Sequence, residues 1–86
     1  MILHLGGDYI VPTKRIIMIL DYKKAMENKD TMSFLKNMEK NAQKVVISES
    51  ETKSIVIASF FDQYTMYYSP ISSVTLQKRG KEVPKI

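Results

Sequence analysis

The chain has 86 residues, of which 44% are hydrophobic, with a formal net charge of +4, one histidine and no cysteine. A chain of this length forms one small domain with a thin core, and the absence of cysteine excludes disulfides, thiolate metal sites and cysteine nucleophiles. No apolar run reaches the roughly 18 residues that span a bilayer, and the first residues lack the pattern of a signal peptide. We therefore expect a cytoplasmic protein that gains stability by oligomerisation.

The first third of the chain is typical of short strands. The predicted strands cover Ile2 to Leu5, Tyr9 to Val11 and Ile16 to Tyr22. Gly6-Gly7-Asp8 favours a tight turn after the first strand, and Pro12 ends the second because it has no N–H to donate to a sheet. The polar composition from Lys23 to Lys29 predicts a surface loop or a frayed helical start.

Lys14 and Arg15 form a cationic pair between two apolar strands. The ordered start of a strand would hold a guanidinium at little further entropic cost, and the planar guanidinium suits phosphate or carboxylate. Arg15 is therefore the first candidate for an anion contact. The alternative is that both residues form a solvated strand edge that resists aggregation.

One amphipathic helix is predicted from Thr31 to Ala42, with Asp30 as its N-cap. Its apolar residues recur every three to four positions and fall on one face: Met32, Leu35, Met38 and Ala42. Lys36 and Lys40 lie one turn apart, where their like charges repel each other. Either water and salt screen the two charges, or an anion lies between them.

The second half reads as a β-meander. Its predicted strands cover Lys44 to Ser48, Ser54 to Phe61 and Tyr64 to Ser69, followed by a short helix or turn from Ser72 or Ser73. The runs Val45 to Ile47 and Ile55 to Ala58 do not alternate, and such strands have both faces covered. Because one helix covers only one face, we expect a second subunit on the other.

The sequence thus predicts an α+β fold, a small antiparallel sheet with one main amphipathic helix, assembled as a homo-oligomer. A single domain covers residues 1–79, and residues 80–86 read as a flexible basic tail. An enzyme is not indicated, because the lone His4 has no converging ligands and the usual nucleotide and acyl-transfer motifs are missing. No metal or other cofactor is expected.

The aromatic residues of the last strands allow two interpretations. They are Phe60, Phe61, Tyr64, Tyr67 and Tyr68. Such residues stack on unpaired bases in sheet-type nucleic-acid binders, but no basic residue lies between Lys53 and Lys78. Packing in the core or at a subunit interface is therefore the favoured interpretation.

Several segments together resemble the bacterial extracellular-matrix regulator family of RemA and RemB, and the RemB branch most closely. The segments are His4-Leu5-Gly6, Tyr9-Ile10-Val11, Lys14 to Ile19, Thr52 to Ile57, and Tyr68 to Ser73 with Thr75-Leu76. The resemblance covers the chain to about Arg79. It implies a ring-forming, DNA-binding regulator of transcription of biofilm-matrix genes.

The resemblance also implies which residues contact DNA. In the RemA branch an arginine after the first strands and arginines in a later turn do so. Arg15 occupies the first position, whereas Ser50 and Glu51 stand where the basic pair would be, with Lys53 as a neighbouring cation. The implied contacts to the phosphate backbone of double-stranded DNA are Arg15, Lys14 and Lys53. The alternative is a scaffold or interaction protein of the same fold without direct DNA contact.

Overall fold

The computed structural model of the protein describes residues 1–80. The elements are β1 (Ile2–Gly6), β2 (Tyr9–Pro12), a 3-10 turn (Thr13–Arg15), β3 (Ile16–Asp21), α1 (Tyr22–Met26), α2 (Lys29–Glu39), β4 (Ala42–Val46), β5 (Ser54–Phe60), β6 (Gln63–Ser69) and α3 (Ser73–Arg79). The α+β class is confirmed. Of the predicted tail, Gly80 follows α3, and residues 81–86 lie outside the described residues.

The N-terminal strands form the predicted hairpin. β1 and β2 pair antiparallel, with Leu3 opposite Val11, and both of these side chains are buried. Ile2 and Ile10 alternate with them and are exposed, as the twofold period of a strand requires. Gly6 makes the turn in a backbone conformation with φ of 111°, which side chains rarely adopt.

The main sheet has four strands in the order β3-β5-β6-β4. β3, β5 and β6 pair antiparallel, but β4 lies parallel to β6, so the predicted meander is wrong at β4. The central strand is β5, in which the run Ser54 to Ala58 is completely buried. β4 lies at an edge of the sheet, where one side of its backbone can remain solvated. Three of its five residues are exposed.

Both faces of the sheet are covered within one chain. On one face the hairpin and α3 pack on β3 and β5, in a core that contains Leu3, Leu5, Val11, Ile16, Ile19, Val56, Ala58 and Leu76. On the other face α1 and α2 pack on the sheet, in a core that contains Ala25, Leu35, Ile55, Ile57, Met66 and Tyr68.

The argument that one face of the sheet is left for a second subunit is therefore wrong. The continuous apolar strands are indeed covered on both sides, but the second cover is the N-terminal hairpin of the same chain together with Leu76 of α3. Assembly into a homo-oligomer stays a prediction that rests on the family resemblance and the size of the chain.

The helices differ from the prediction at their ends. Of the two alternatives for the segment after β3, the helical start is confirmed, since α1 begins at Tyr22. α1 is capped by Asp21, whose carboxylate accepts a hydrogen bond from the Lys24 N–H at 2.9 Å. α2 is capped by Asn28 rather than Asp30, since the Asn28 side chain accepts from the Thr31 N–H at 2.9 Å. Asp30 instead lies in the first turn, where its charge favours the helix dipole.

Candidate anion-binding site at the tip of the sheet

The short turn that carries Lys14 and Arg15 is anchored at its first residue. Thr13 is buried and donates both its N–H and its hydroxyl to the Met1 carbonyl, at 2.9 and 3.2 Å. Pro12 precedes it with the φ of −59° that its ring imposes. The turn therefore holds Lys14 exposed and Arg15 half-buried directly before β3, which confirms the predicted position of Arg15 at a strand entrance.

The Arg15 guanidinium lies over an aromatic ring. Its central carbon is 5.5 Å from the centre of the Phe61 ring, a distance at which a cation is attracted to the face of the ring. Phe61 is 86% exposed, so the pair lies at the surface. This contact restricts the guanidinium to one region while its N–H groups remain able to bind an anion.

The Phe61 ring stands on a backbone that is unfavourable for it. Phe61 and Asp62 have φ of 48° and 67° and connect β5 to β6 between the paired Phe60 and Gln63. This is the geometry of a two-residue turn in which Asn-Gly is preferred. A bulky residue in the left-handed region costs roughly 1 kcal/mol. We call Lys14, Arg15, Phe61 and Asp62 the Arg15 tip.

The aromatic residues of the last strands divide between the core and the surface, and whether the exposed Phe61 packs at a subunit interface stays a prediction. Tyr68 packs in the core on the helix side of the sheet, as expected, and Tyr67 is partly buried against the core on the hairpin side. Phe61 is not a core residue. The sequence did not indicate a cation near Phe61, because Arg15 is distant along the chain. Only the pairing of β3 with β5 brings Arg15 and Phe61 together.

Lys53 lies at the opposite end of the sheet from Arg15. It directly precedes β5, where its N–H donates to the Ser69 carbonyl at 2.8 Å and its carbonyl accepts from the Tyr22 N–H at 3.0 Å. The six residues of β3 separate the two ends by roughly 20 Å at about 3.3 Å per residue. The structure thus brings Lys14 and Arg15 together but not Lys53.

The charges of the two ends also differ. The Lys53 ammonium is 3.7 Å from the Glu51 carboxylate. Glu51, which stands where the resemblance implies a basic residue, therefore partly neutralises Lys53. Within residues 1–80, neither Lys14 nor Arg15 takes part in an ion pair. Asp62 offsets one of the two cations of the Arg15 tip, which leaves a single positive charge there.

The described part of the chain contains no cluster of three or more histidine, cysteine or acidic side chains that could hold a metal ion. None of the helices in residues 1–80 has the length and apolar composition needed to cross a membrane.

Comparisons with known proteins are consistent with one family. Residues 2–79 match the family described as RemA-like, extracellular matrix regulatory protein A-like. The chain is 43% identical over 82 residues to extracellular matrix regulatory protein B of Bacillus subtilis (strain 168), which covers 94% of this chain and 91% of that protein. No solved structure matches the chain.

Proposed function

This chain belongs to the RemA-like family of extracellular matrix regulators, on its RemB branch, and from this membership we propose that it regulates matrix genes by binding double-stranded DNA in the cytoplasm. It acts as a homo-oligomer in this proposal. Repeated subunits turn one weak phosphate contact each into useful affinity, because the second and later contacts are intramolecular.

One observation carries the proposal: the Arg15 guanidinium is held over Phe61 and has no carboxylate partner among residues 1–80. A guanidinium that is already positioned loses less entropy when it binds a phosphate, and its paired N–H donors fit the phosphate oxygens. Lys14 adds a second, exposed cation beside it. Phosphate contacts of this kind give affinity and register rather than sequence selectivity.

Lys53 has a smaller part in this proposal than the sequence indicated. It is far from the Arg15 tip and lies beside Glu51, so a phosphate that approached it would also meet a carboxylate. Replacement of Glu51 by arginine removes that repulsion and adds a cation. Glu51→Arg should therefore strengthen DNA binding at low salt.

The direct test is Arg15→Ala in a gel-retardation assay at two salt concentrations. The variant should bind DNA more weakly and with a shallower salt dependence, since one phosphate contact per subunit is lost. Oligomer size, measured by sedimentation, and thermal stability should change little. Lys40→Ala is the matched control, because it removes one exposed charge at the C-cap of α2. Unchanged retardation of an assembled Arg15→Ala protein would refute the proposal.

A second candidate function is a scaffold that binds proteins instead of DNA. It is favoured by the outer face of the hairpin, where Met1, Ile2 and Ile10 are 68%, 59% and 55% exposed. Contiguous exposed apolar residues mark protein contacts. Salt separates the two functions: DNA binding through phosphates weakens steeply with ionic strength, whereas an apolar protein interface does not.

A further inference from the structure

A half-open cleft of about 150 Å³ lies where α1 and α2 meet the sheet. Its apolar lining includes Met26 of α1 and Met32 and Leu35 of α2. Methionine side chains adapt to the shape of what they contact, and an apolar cavity of this volume can hold a benzene ring. The cleft therefore has room for about one ring. We call this cavity the α2 cleft.

Two aromatic side chains complete the apolar part of the α2 cleft. Tyr22 and Tyr68 both line it, and their rings meet edge to face with centres 6.5 Å apart. The two rings give the cleft an aromatic wall, and a further aromatic group in the cleft would extend the same edge-to-face packing. The lining thus favours a flat ring over a flexible chain.

The charged residues at the rim set the polarity of the ligand. The Lys44 ammonium is 3.2 Å from the Glu39 carboxylate and 4.8 Å from the centre of the Tyr68 ring. Lys44 therefore offsets the charge of Glu39. Lys36 also lines the cleft and takes part in no ion pair within residues 1–80. With two cations and one carboxylate, the rim keeps one positive charge.

The Tyr68 hydroxyl remains a neutral hydrogen-bond donor at physiological pH. Burial is the main cause that raises its pKa to about 12, and the neighbouring Glu39 carboxylate and Tyr22 act in the same direction. The same hydroxyl is hydrogen-bonded to the Glu39 carboxylate, so it stays uncharged and presents no negative charge to an anionic ligand.

We propose that the α2 cleft binds a small aromatic carboxylate, whose ring packs between the methionines and tyrosines and whose carboxylate pairs with Lys36. A ligand in this position would contact α1, α2, β4 and β6 at once, so binding would hold the helix layer against the sheet. The site is distinct from the Arg15 tip and does not depend on DNA binding.

The test is an NMR titration of the full chain with benzoate, benzyl alcohol and benzylamine. Benzoate should shift the signals of residues that line the cleft and bind more tightly than the other two, because only benzoate has both the ring and the negative charge. Cleft-specific binding of benzyl alcohol or benzylamine that is as tight as that of benzoate would overturn the proposed charge selectivity. Absence of cleft-specific shifts with benzoate would overturn the site itself.

Two variants make the result specific. Lys36→Ala should weaken benzoate binding by roughly tenfold, as expected for one charge-assisted contact, and should leave benzyl alcohol binding unchanged. Lys40→Ala removes a charge at the C-cap of α2, four residues after Lys36 and outside the cleft lining, and should leave benzoate binding unchanged. Equal losses in the two variants would show that benzoate responds to net charge only, which contradicts the proposal. Circular dichroism checks that both variants are folded.

Discussion

The two ends of the four-stranded sheet each carry a candidate DNA-contacting cation, but they use their polar groups in opposite ways. At the Arg15 tip an exposed aromatic ring lies beside a half-buried guanidinium that has no ion-pair partner among residues 1–80. At the other end, the Lys53 backbone and the buried serines around it are hydrogen-bonded into the fold. Cations that look alike in the sequence therefore differ in whether they are available for binding.

We call Gly6, Ser54, Ser69 and Ile71 the serine clasp. The Ser69 hydroxyl donates to the Leu5 carbonyl at 2.6 Å and accepts from the Ile71 N–H at 3.1 Å. The Ser54 hydroxyl donates to the Ile71 carbonyl at 2.7 Å. These bonds connect the hairpin, the central strand and the segment before α3. The hydrogen bonds of the clasp stabilise the fold. At the tip the Phe61 ring stays exposed, and its left-handed backbone lowers the stability.

Loss of a clasp hydroxyl should give the largest effect on stability. Ser69→Ala leaves the Leu5 carbonyl and the Ile71 N–H without this partner in a buried place, and each buried unpaired group costs about 1–3 kcal/mol. We expect a loss of about 2–3 kcal/mol in the free energy of unfolding, measured by urea denaturation. Ser48→Ala, which removes only an exposed contact to Ser50, is the control. Equal midpoints for the two variants would contradict the structural role of the clasp.

The glycine of the clasp should be the next most sensitive. A side chain at Gly6 would be strained at φ of 111°, and its Cβ would lie 3.1 Å from the Pro70 ring. Gly6→Ala should therefore lower the unfolding free energy by about 1–2 kcal/mol. At Gly7 φ is 55° and the nearest atom is 3.7 Å away, so Gly7→Ala should lose less. Thermal melts of both variants measure the difference, and a larger loss at Gly7 would refute this account.

The Arg15 tip should respond to substitution in the opposite direction. Phe61→Asn replaces a bulky residue by one that tolerates the left-handed backbone, so the protein should become more stable by about 0.5–1 kcal/mol. DNA retardation should weaken, since Arg15 loses the ring that positions it.

Asp62→Gly is the matched variant for the tip. It also relieves a positive φ but keeps the Phe61 ring and removes a carboxylate, so it should stabilise the protein and strengthen DNA binding. If Phe61→Asn bound DNA as well as the unaltered protein does, the ring would have no part in positioning Arg15.

The smallest effect is expected for Lys53→Ala. Its ion pair with Glu51 joins two side chains that are more than half exposed, and such pairs contribute little to stability. The change in unfolding free energy should stay within about 0.5 kcal/mol, and DNA retardation should fall less than in Arg15→Ala. Equal losses of DNA binding in the two variants would show that both ends of the sheet contact DNA.

Most elements of the fold could be predicted from the sequence, because their signals are local. The apolar runs of β3 and β5, the turn at Gly6, and the spacing of Met32, Leu35 and Met38 each act within a few residues. The position of Arg15 at the start of β3 has the same origin. Asn28 was missed as the α2 cap because Asn28 and Asp30 are both good caps, and the sequence does not decide between them.

Only the tertiary structure decided which elements meet. An apolar run shows that a strand is buried but not what buries it, so the hairpin over one face and the parallel place of β4 could not be read from the pattern. For the same reason the sequence grouped Lys53 with Arg15 and left Phe61 without a cation. Antiparallel pairing sets the start of β3 beside the end of β5. It therefore brings Arg15 to Phe61 and leaves Lys53 at the other end of the sheet.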